Sequence, residues 1–365
     1  MEQLRKIAEQ FDLAGTMVSA GEFGDGHIND TYLVVCRDGE ESHEYVLQRI
    51  NRNVFADGKG LMANMQAVTD YTRKILERDG GDVERGTLTI VPAKNGESCV
   101  FDEEGYCWRV THEIKGVYSA SVVENAGMLR ETGRAFGKFM RDLDGFDASV
   151  LTETIPNFHH TPKRFENFKR AVAEDRMGRA AGVQAEIQFA MGYEEFVHTL
   201  VDQLEGGVIP LRVTHNDTKI NNLLLDKETG KAICVIDLDT VMPGLAAYDF
   251  GDSIRSGANP ADEDERDLSK VTMDIDLYEA FAAGFLSEAG AIMKKEELLS
   301  LPIGAKMMTF ECGIRFLSDY LDGDVYFKVH REGHNLDRAR TQFKMVADME
   351  KVWDRMNEIV LNLAK

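Results

Sequence analysis

Long apolar runs are missing from this chain of 365 residues. No stretch approaches the ~20 apolar residues that a membrane-spanning helix needs, which argues against an integral membrane protein of the helical type. The charged residues near the start of the chain are followed by no apolar core, so we expect no signal peptide. The sequence therefore predicts a protein without a membrane partner.

Cysteine and proline are scarce. The five cysteines are scattered and odd in number, and no C-x-x-C pair suggests a zinc site. Free thiols are typical of a reducing compartment, so we expect a cytoplasmic protein. With seven prolines, short linkers and no internal repeat, the chain shows no sign of a third domain. Its length does allow two lobes with a sizeable core.

Positive charge is in deficit, since 42 Lys and Arg face 63 Asp and Glu, for a formal net charge of −21. Such a balance disfavours nucleic acid and anionic membranes as partners. A nucleotide is itself anionic, so any nucleotide cleft must be positive locally. The composition leaves monomer and homodimer equally open.

A polar segment with the pattern His-x-Asp-x-x-x-x-Asn occupies positions 215–222. Two apolar runs joined by a turn follow it, which predicts a β-hairpin that ends at Asp237. Because a hairpin returns beside its own start, we expect Asp217, Asn222 and Asp237 to converge. Oxygen-bearing side chains at one point suit Mg²⁺ and a base for phosphoryl transfer. The alternative is a polar turn before a buried hairpin.

The tripeptide Asp249-Phe250-Gly251 spells the metal-binding motif of protein kinases. It comes after a further loop, too late in the chain for the expected geometry. The hairpin therefore favours Asp237 as the metal ligand. We expect Asp249 to begin the next helix or to buttress the 215–222 loop.

These motifs together resemble the aminoglycoside phosphotransferase and choline kinase group of small-molecule kinases. Longer segments are similar to the N-acetylhexosamine 1-kinase branch of that group, and the resemblance covers essentially the whole chain. The segments are 24–33, 45–51, 212–219, 236–244 and 311–317. The resemblance implies Mg²⁺ and transfer of the γ-phosphoryl of ATP to the anomeric hydroxyl of N-acetylglucosamine or N-acetylgalactosamine.

The predicted fold class is α+β, a bilobal protein-kinase-like fold. Its small β-rich N-terminal lobe spans 1–115 and its larger, mostly helical C-terminal lobe spans 116–365. Residues 3–12 predict a short helix, and a longer helix is predicted at 58–78. Strands are predicted at 17–23, 28–36, 44–50, 87–92, 97–102 and 106–113. C-terminal helices are predicted at 124–143, 161–181, 184–205, 262–289, 295–321 and 335–363.

Several residues are candidates for holding the nucleotide. Gly24 and Gly26 lie at a predicted hairpin tip, where glycine lets backbone N–H groups approach phosphates. Kinases carry a lysine on the third strand, paired with a helix glutamate, but this chain has Gln48 there and no acid in the first half of the helix. The residue that replaces the lysine stays open. Glu113 and Ile114 fall in the segment expected to contact adenine, or in an ordinary interdomain crossing.

The resemblance also implies a set of acceptor contacts. His27, Arg315 and Tyr326 match positions that hold the sugar in the N-acetylhexosamine branch, next to Asp217. Forked donors and an aromatic face suit a neutral polyol. The alternatives are a solvated turn histidine and an arginine in a structural salt bridge.

The predicted roles follow from these positions. Asp217 orients the C1 hydroxyl and takes its proton, while Asn222 and Asp237 hold Mg²⁺ with Asp239 close by. One rival is a kinase for another small alcohol, such as choline, an amino alcohol or homoserine. Another is a non-catalytic nucleotide-binding regulator, suggested by the missing lysine. The intact base and metal ligands favour catalysis.

Overall fold

A computed structural model describes residues 1–24 and 28–364 of the chain. An antiparallel sheet dominates the N-terminal part, and helices dominate the rest. The helices are α1 (Glu2–Ala8), α2 (Gly58–Asp79), α3 (Val83–Gly86), α4 (Ala126–Asp142), α5 (Thr161–Glu174), α6 (Gln184–Met191), α7 (Thr199–Glu205), α8 (Ala246–Gly257), α9 (Ile275–Ala289), α10 (Lys295–Asp322), α11 (His334–Lys351) and α12 (Trp353–Leu363). The strands are β1 (Thr16–Glu22), β2 (Asp30–Asp38), β3 (Glu41–Arg49), β4 (Ile90–Val91), β5 (Val100–Phe101), β6 (Cys107–His112), β7 (Val117–Ser119), β8 (Arg212–Thr214), β9 (Leu223–Asp226), β10 (Ala232–Val235) and β11 (Met242–Gly244).

The N-terminal sheet has the strand order β1-β2-β3-β6-β4, with β5 also paired to β6. One face packs with α1 around a core that includes Val34, Leu47 and Trp108. The other face is covered by α2, whose Leu61 and Met65 belong to a second cluster. Strand β6 is covered on both faces, and its residues from Cys107 to Thr111 are all buried.

The helical part is built around α10, which packs against α5, α8 and α11, while α4 packs against α9. Helices α8 and α10 cross closely, since a Cβ added at Gly251 would lie 2.3 Å from the carbonyl oxygen of Gly304. The aromatic rings of Phe250, Phe281 and Phe285 contact one another in this core. The predicted β-rich N-terminal and helical C-terminal organisation is confirmed.

The site lies where the two parts meet. Strands β7, β9 and β10 form a separate three-stranded sheet, and β8 pairs with β11. The predicted boundary between residues 115 and 116 falls between β6 and β7, which belong to different sheets. The predicted hairpin after the 215–222 loop is β9–β10. Within the described residues, none of the helices has the length and apolar character needed to cross a membrane.

Several predicted element limits were wrong. The segment 262–274 is not helical, because the carboxylates of Glu265 and Asp267 accept from the nearby backbone N–H groups of Asp267 and Ser269 in turns. Helix α9 begins only after Asp274, which caps it through the N–H groups of Asp276 and Leu277. The predicted strands at 87–92 and 97–102 shrink to two residues each.

Three long predicted helices are also shorter or divided. The helix predicted at 161–181 ends at Glu174, because Asp175 adopts a left-handed backbone with φ 36°. The stretch 184–205 divides into α6 and α7 after Gly192, a residue with low helix propensity. The stretch 335–363 divides into α11 and α12 at Val352, whose backbone leaves the helical region.

Candidate functional site

The 215–222 loop runs from β8 to β9 and is held in place by hydrogen bonds to Asp249. The Asp249 carboxylate accepts hydrogen bonds from the N–H groups of His215 (2.9 Å) and Asn216 (2.7 Å). The Thr218 hydroxyl donates to the Asp249 carbonyl oxygen at 2.5 Å. Asp249 is buried in α8, and burial raises its pKa to about 6. It therefore buttresses the loop, one of the two positions expected for it.

Asp217 projects from this loop between Asn222 and Lys219. The Asn222 amide nitrogen donates to the backbone oxygen of Asp217 (2.8 Å) and to its carboxylate (2.9 Å). The Lys219 ammonium lies 2.7 Å from the other carboxylate oxygen. Dehydration alone would raise the pKa of Asp217, but Lys219 outweighs it and lowers the pKa to about 2. The carboxylate is thus always ionised at neutral pH, which suits orienting a hydroxyl better than strong basicity.

Asp237 follows the hairpin and faces the cleft. The N–H of Ile236 donates to the Asn222 carbonyl oxygen at 3.0 Å, and the backbone of Asp237 is left-handed with φ 58°. Dehydration in the cleft, then the Asp239 and Asp217 carboxylates, raise the pKa of Asp237 to about 7. Water still reaches this side chain, and the two neighbouring carboxylates repel its negative charge. The structure thus brings the three predicted residues together.

These residues fit a hard divalent cation. The amide nitrogen of Asn222 is directed at Asp217, which leaves the carbonyl oxygen as the atom of that side chain that can bind a metal. Asp237 supplies a carboxylate. Across residues 1–24 and 28–364, no group of three or more His, Cys, Asp or Glu is arranged to hold a metal ion. Mg²⁺ in kinases typically takes one or two carboxylates together with substrate phosphates, and this donor set matches that pattern.

On the nucleotide side, the sequence offered no strand lysine, but the structure places a cation one strand away. The Nε of Arg109 on β6 donates to Oε1 of Gln48 at 2.9 Å, and its Nη1 forms an ion pair with Asp239. Met65 of α2 contacts the same guanidinium at 3.4 Å. Arg49 points away and pairs with Asp30 at 2.5 Å. Sequence reasoning missed Arg109, although a lone arginine in an apolar strand is a signal.

The hairpin tip that should cover the nucleotide is described only at its ends. Gly24 has a left-handed backbone with φ 74°, which glycine adopts without strain. Gly26 and His27 lie outside the described residues. Asn29, just after the tip, donates from Nδ2 to the Asp239 carboxylate at 2.7 Å and accepts from the N–H of Asn51 at 3.0 Å.

Glu113 and Ile114 follow β6 at the crossing into the helical part. The N–H of Glu113 donates to the Glu44 carbonyl oxygen at 3.1 Å, and Ile114 is buried. One carboxylate oxygen of Glu113 is buried without a hydrogen-bond partner among the described residues. Burial, then the Glu44 charge, raise the pKa of Glu113. Contact of these two residues with adenine stays a prediction.

On the acceptor side, Arg315 of α10 is surrounded by aromatic rings. Its guanidinium carbon lies 5.4 Å from the ring centroid of Phe327, 5.8 Å from that of Tyr326 and 6.0 Å from that of Phe158. Within the described part of the chain, Arg315 forms no hydrogen bond or ion pair. The expected alternative, a structural salt bridge, is therefore not found there. Tyr326 is 61% exposed, so its ring is open to a ligand.

A buried relay connects this pocket to the 215–222 loop. Glu311 of α10 accepts from Thr161 at 2.6 Å and contacts Nδ1 of His159 at 3.0 Å. The other ring nitrogen of His159 lies 3.0 Å from the Asn216 carbonyl oxygen. Burial would raise the pKa of Glu311, but His159 and two nearby arginines, Arg164 and Arg315, lower it. Sequence reasoning missed this relay, although an acid inside an apolar helix was a signal.

Comparison with known proteins assigns the family. A model described as the phosphotransferase enzyme family matches residues 19–270, which is more than half of the chain. The chain belongs to this phosphotransferase family. The chain is accordingly a kinase-like phosphotransferase, and enzymes of this kind generally use ATP with a divalent metal ion.

Solved structures with the same fold include three small-molecule kinases. A microcompartment-associated aminopropanol kinase has 17% identity and a TM-score of 0.66, with 98% of each chain covered. A spectinomycin phosphotransferase solved with ADP and spectinomycin has 13% identity and a TM-score of 0.55, covering 99% of this chain and 98% of that one. The choline kinase of Cryptosporidium parvum has 15% identity and a TM-score of 0.55, covering 95% and 93%. At these identities the likeness confirms the predicted kinase-like fold alone.

Proposed function

We propose that this phosphotransferase moves the γ-phosphoryl group of ATP to the anomeric hydroxyl of an N-acetylhexosamine, N-acetylglucosamine or N-acetylgalactosamine. The observation that carries the choice of acceptor is the environment of Arg315. A half-buried guanidinium without a protein partner among the described residues, next to three rings, offers forked donors and apolar faces. A neutral polyol with an acetamido group uses both.

The positive charge at this pocket argues against a cationic acceptor. Arg164 lies close enough to Arg315 that burial, then the charge of Arg315, lower the pKa of Arg164. An ammonium group placed between two guanidiniums would be repelled. Choline recognition calls for an aromatic cage around the cation, and here an arginine occupies the space among the rings. A choline or amino-alcohol kinase is therefore the weaker candidate.

In the proposed reaction Asp217 accepts a hydrogen bond from the C1 hydroxyl and aligns its oxygen with the phosphorus. Because its low pKa makes the Asp217 carboxylate a weak base, the hydroxyl proton is transferred late in the reaction. A loose transition state of phosphoryl transfer permits this order. Lys219 partly neutralises the charge of Asp217, whose carboxylate it contacts at 2.7 Å. Asn222 and Asp237 would hold Mg²⁺, which supplies charge neutralisation at the phosphates when bound. His27 as a sugar contact stays a prediction outside the described residues.

A direct test is an ATP-consumption screen with purified protein over monosaccharides, choline, ethanolamine and aminopropanol. We expect turnover with N-acetylglucosamine and N-acetylgalactosamine, and phosphorus NMR of the product should show a sugar 1-phosphate. Faster turnover of an amino alcohol would contradict the proposed acceptor. Phosphorylation at another hydroxyl would contradict the proposed position of transfer. ATP binding without turnover on any acceptor would favour the alternative of a non-catalytic nucleotide-binding regulator.

A further inference from the structure

The missing strand lysine has a counterpart in the neighbouring strand. Gln48 of β3 lies directly opposite Arg109 of β6 in the sheet register, and the two side chains are hydrogen-bonded at 2.9 Å. Arg109 is 2% exposed, so its charge acts in a poorly hydrated environment. A buried cation needs a paired anion, and Asp239 fills that role.

The Asp239 carboxylate gathers contacts from two separate parts of the β-rich lobe. One oxygen pairs with Arg109, and the other accepts from Asn29 at 2.7 Å. Asn29 is itself anchored by the backbone N–H of Asn51. Asn29, which directly precedes β2, and strand β6 are therefore both tied to one buried side chain of the helical lobe.

Asp239 is equally well fixed on its own side. It lies in a short 3-10 helix, Leu238–Thr240, that begins directly after Asp237. The Asp239 carbonyl oxygen accepts from the Thr154 hydroxyl at 3.0 Å, and the Thr240 hydroxyl donates to the His215 carbonyl oxygen at 2.7 Å. Any displacement of Asp239 would thus be passed to Asp237, whose left-handed backbone leaves it few other positions.

We infer that Arg109 and Asp239 are positioning residues that hold Asp237 in register with β6 and with Asn29, which directly precedes β2. Unlike the strand lysine of other kinases, which binds the phosphates directly, the buried Arg109 acts through Asp239, an anion beside the metal ligand. This inference rests on the proposed use of a metal-bound nucleotide. It is independent of which acceptor is phosphorylated.

The test is calorimetric binding of ADP with Mg²⁺ to the full chain, together with steady-state kinetics. Residues that orient metal ligands typically cost ~10- to 100-fold in metal affinity or activity when they are lost. Arg109→Gln and Asp239→Asn should each weaken Mg²⁺-dependent ADP binding by that factor, and Arg109→Lys should recover part of it. The double variant should lose no more than the worse single variant, because both act through one contact. KM for the acceptor should not change.

A matched control is Arg85, which also joins the two lobes through an ion pair with Asp226 at 2.8 Å but lies away from Asp237. Arg85→Gln should keep wild-type Mg²⁺ and ADP affinities. If Arg109→Gln lowers thermal stability while leaving these affinities unchanged, or if Arg85→Gln weakens them equally, the inference is wrong. Should Arg109→Gln not fold, Asn29→Ala tests the same link with the buried pair intact, and normal affinities there would also overturn it.

Discussion

Two arginines of the candidate site, Arg109 and Arg315, differ in how their charge is satisfied. Arg109 is buried, with Gln48 and Asp239 as hydrogen-bonded partners. Arg315 is half-buried and, among the described residues, contacts aromatic rings without a hydrogen bond or ion pair. The first arginine has its partners within the protein, whereas the second has donors to offer to a ligand.

The same contrast separates two aspartates. Asp249 accepts from two backbone N–H groups and holds the loop. Asp237 faces the cleft, and within the described chain its carboxylate accepts no hydrogen bond, so it can bind a cation. Among these four residues, the partnered Arg109 and Asp249 hold the site together, whereas Arg315 and Asp237, unpartnered in the part of the chain that the structure describes, are free to contact a ligand. Residue type alone does not distinguish them, since each pair is chemically identical.

The largest effect should come from exchanging the two aspartates for alanine. Asp237→Ala should abolish Mg²⁺-dependent turnover, because a metal ligand is lost. It should cost little stability, because no described hydrogen-bond donor loses its acceptor. Asp249→Ala should lower the melting temperature, since each buried N–H left without an acceptor costs ~1–3 kcal/mol. Circular dichroism melts and Mg²⁺ titrations of both variants check this. A folded Asp249→Ala that fails to bind metal, beside an active Asp237→Ala, would reverse the assignment.

Asp217 is proposed to act in the chemical step, so its loss should reduce turnover far more than binding. Asp217→Asn should lower kcat by ~10²–10⁴-fold while ATP and acceptor still bind, since the amide cannot align the hydroxyl in the same way. Single-turnover kinetics and nucleotide binding measure the two parts separately. A variant that kept more than about a third of wild-type kcat would remove Asp217 from this role.

Arg315 should report on the acceptor alone. A substrate hydroxyl that loses its donor in a desolvated pocket costs ~1–3 kcal/mol, so Arg315→Ala should lower kcat/KM for N-acetylglucosamine by roughly 5- to 150-fold. KM for ATP at saturating sugar should stay near wild type. Arg340→Ala, which breaks a half-exposed ion pair with Glu186, is the control and should change neither value. A loss confined to ATP would place Arg315 on the nucleotide side.

The smallest effect should be a pH dependence of Mg²⁺ affinity. The pKa of Asp237 is raised to about 7 without metal, and a ligand must lose its proton to bind. Below that pH the proton competes, so the half-saturating Mg²⁺ concentration should rise by up to about tenfold per pH unit on acidification. Above it the value should level off. Titrations at several pH values, corrected for Mg²⁺ binding to ATP, check this, and a flat profile would contradict it.

Local sequence patterns were sufficient for much of the fold. The turn and apolar runs after Asn222 predicted β9–β10. Helix α2, predicted at 58–78, spans Gly58–Asp79, and Gly80 ends it with a left-handed backbone. Patterns failed where local side-chain bonds competed with helix formation, as in 262–274. A helix was predicted there, but turns satisfy the backbone instead.

The candidate loop was predictable because its spacing is local. His215 to Asn222 and the hairpin behind them are close in sequence, so geometry follows from a few bonds. Arg109 and Asp239 are 130 residues apart in the chain, and the relay from Glu311 to His159 spans 152. Such pairings cannot be predicted from periodicity or spacing in the sequence, since they depend on how β6, α5 and α10 pack.

By itself, the sequence determined the family motifs, the β-rich and helical halves, and which residue types meet at the cleft. Only the tertiary structure decided which of those charges are neutralised inside the protein and which remain for ligands. The physical reason is that the cost of burying a charge depends on its three-dimensional neighbours, and not on its neighbours along the chain. Arg109 and Arg315 look alike in sequence, and their surroundings give them different roles.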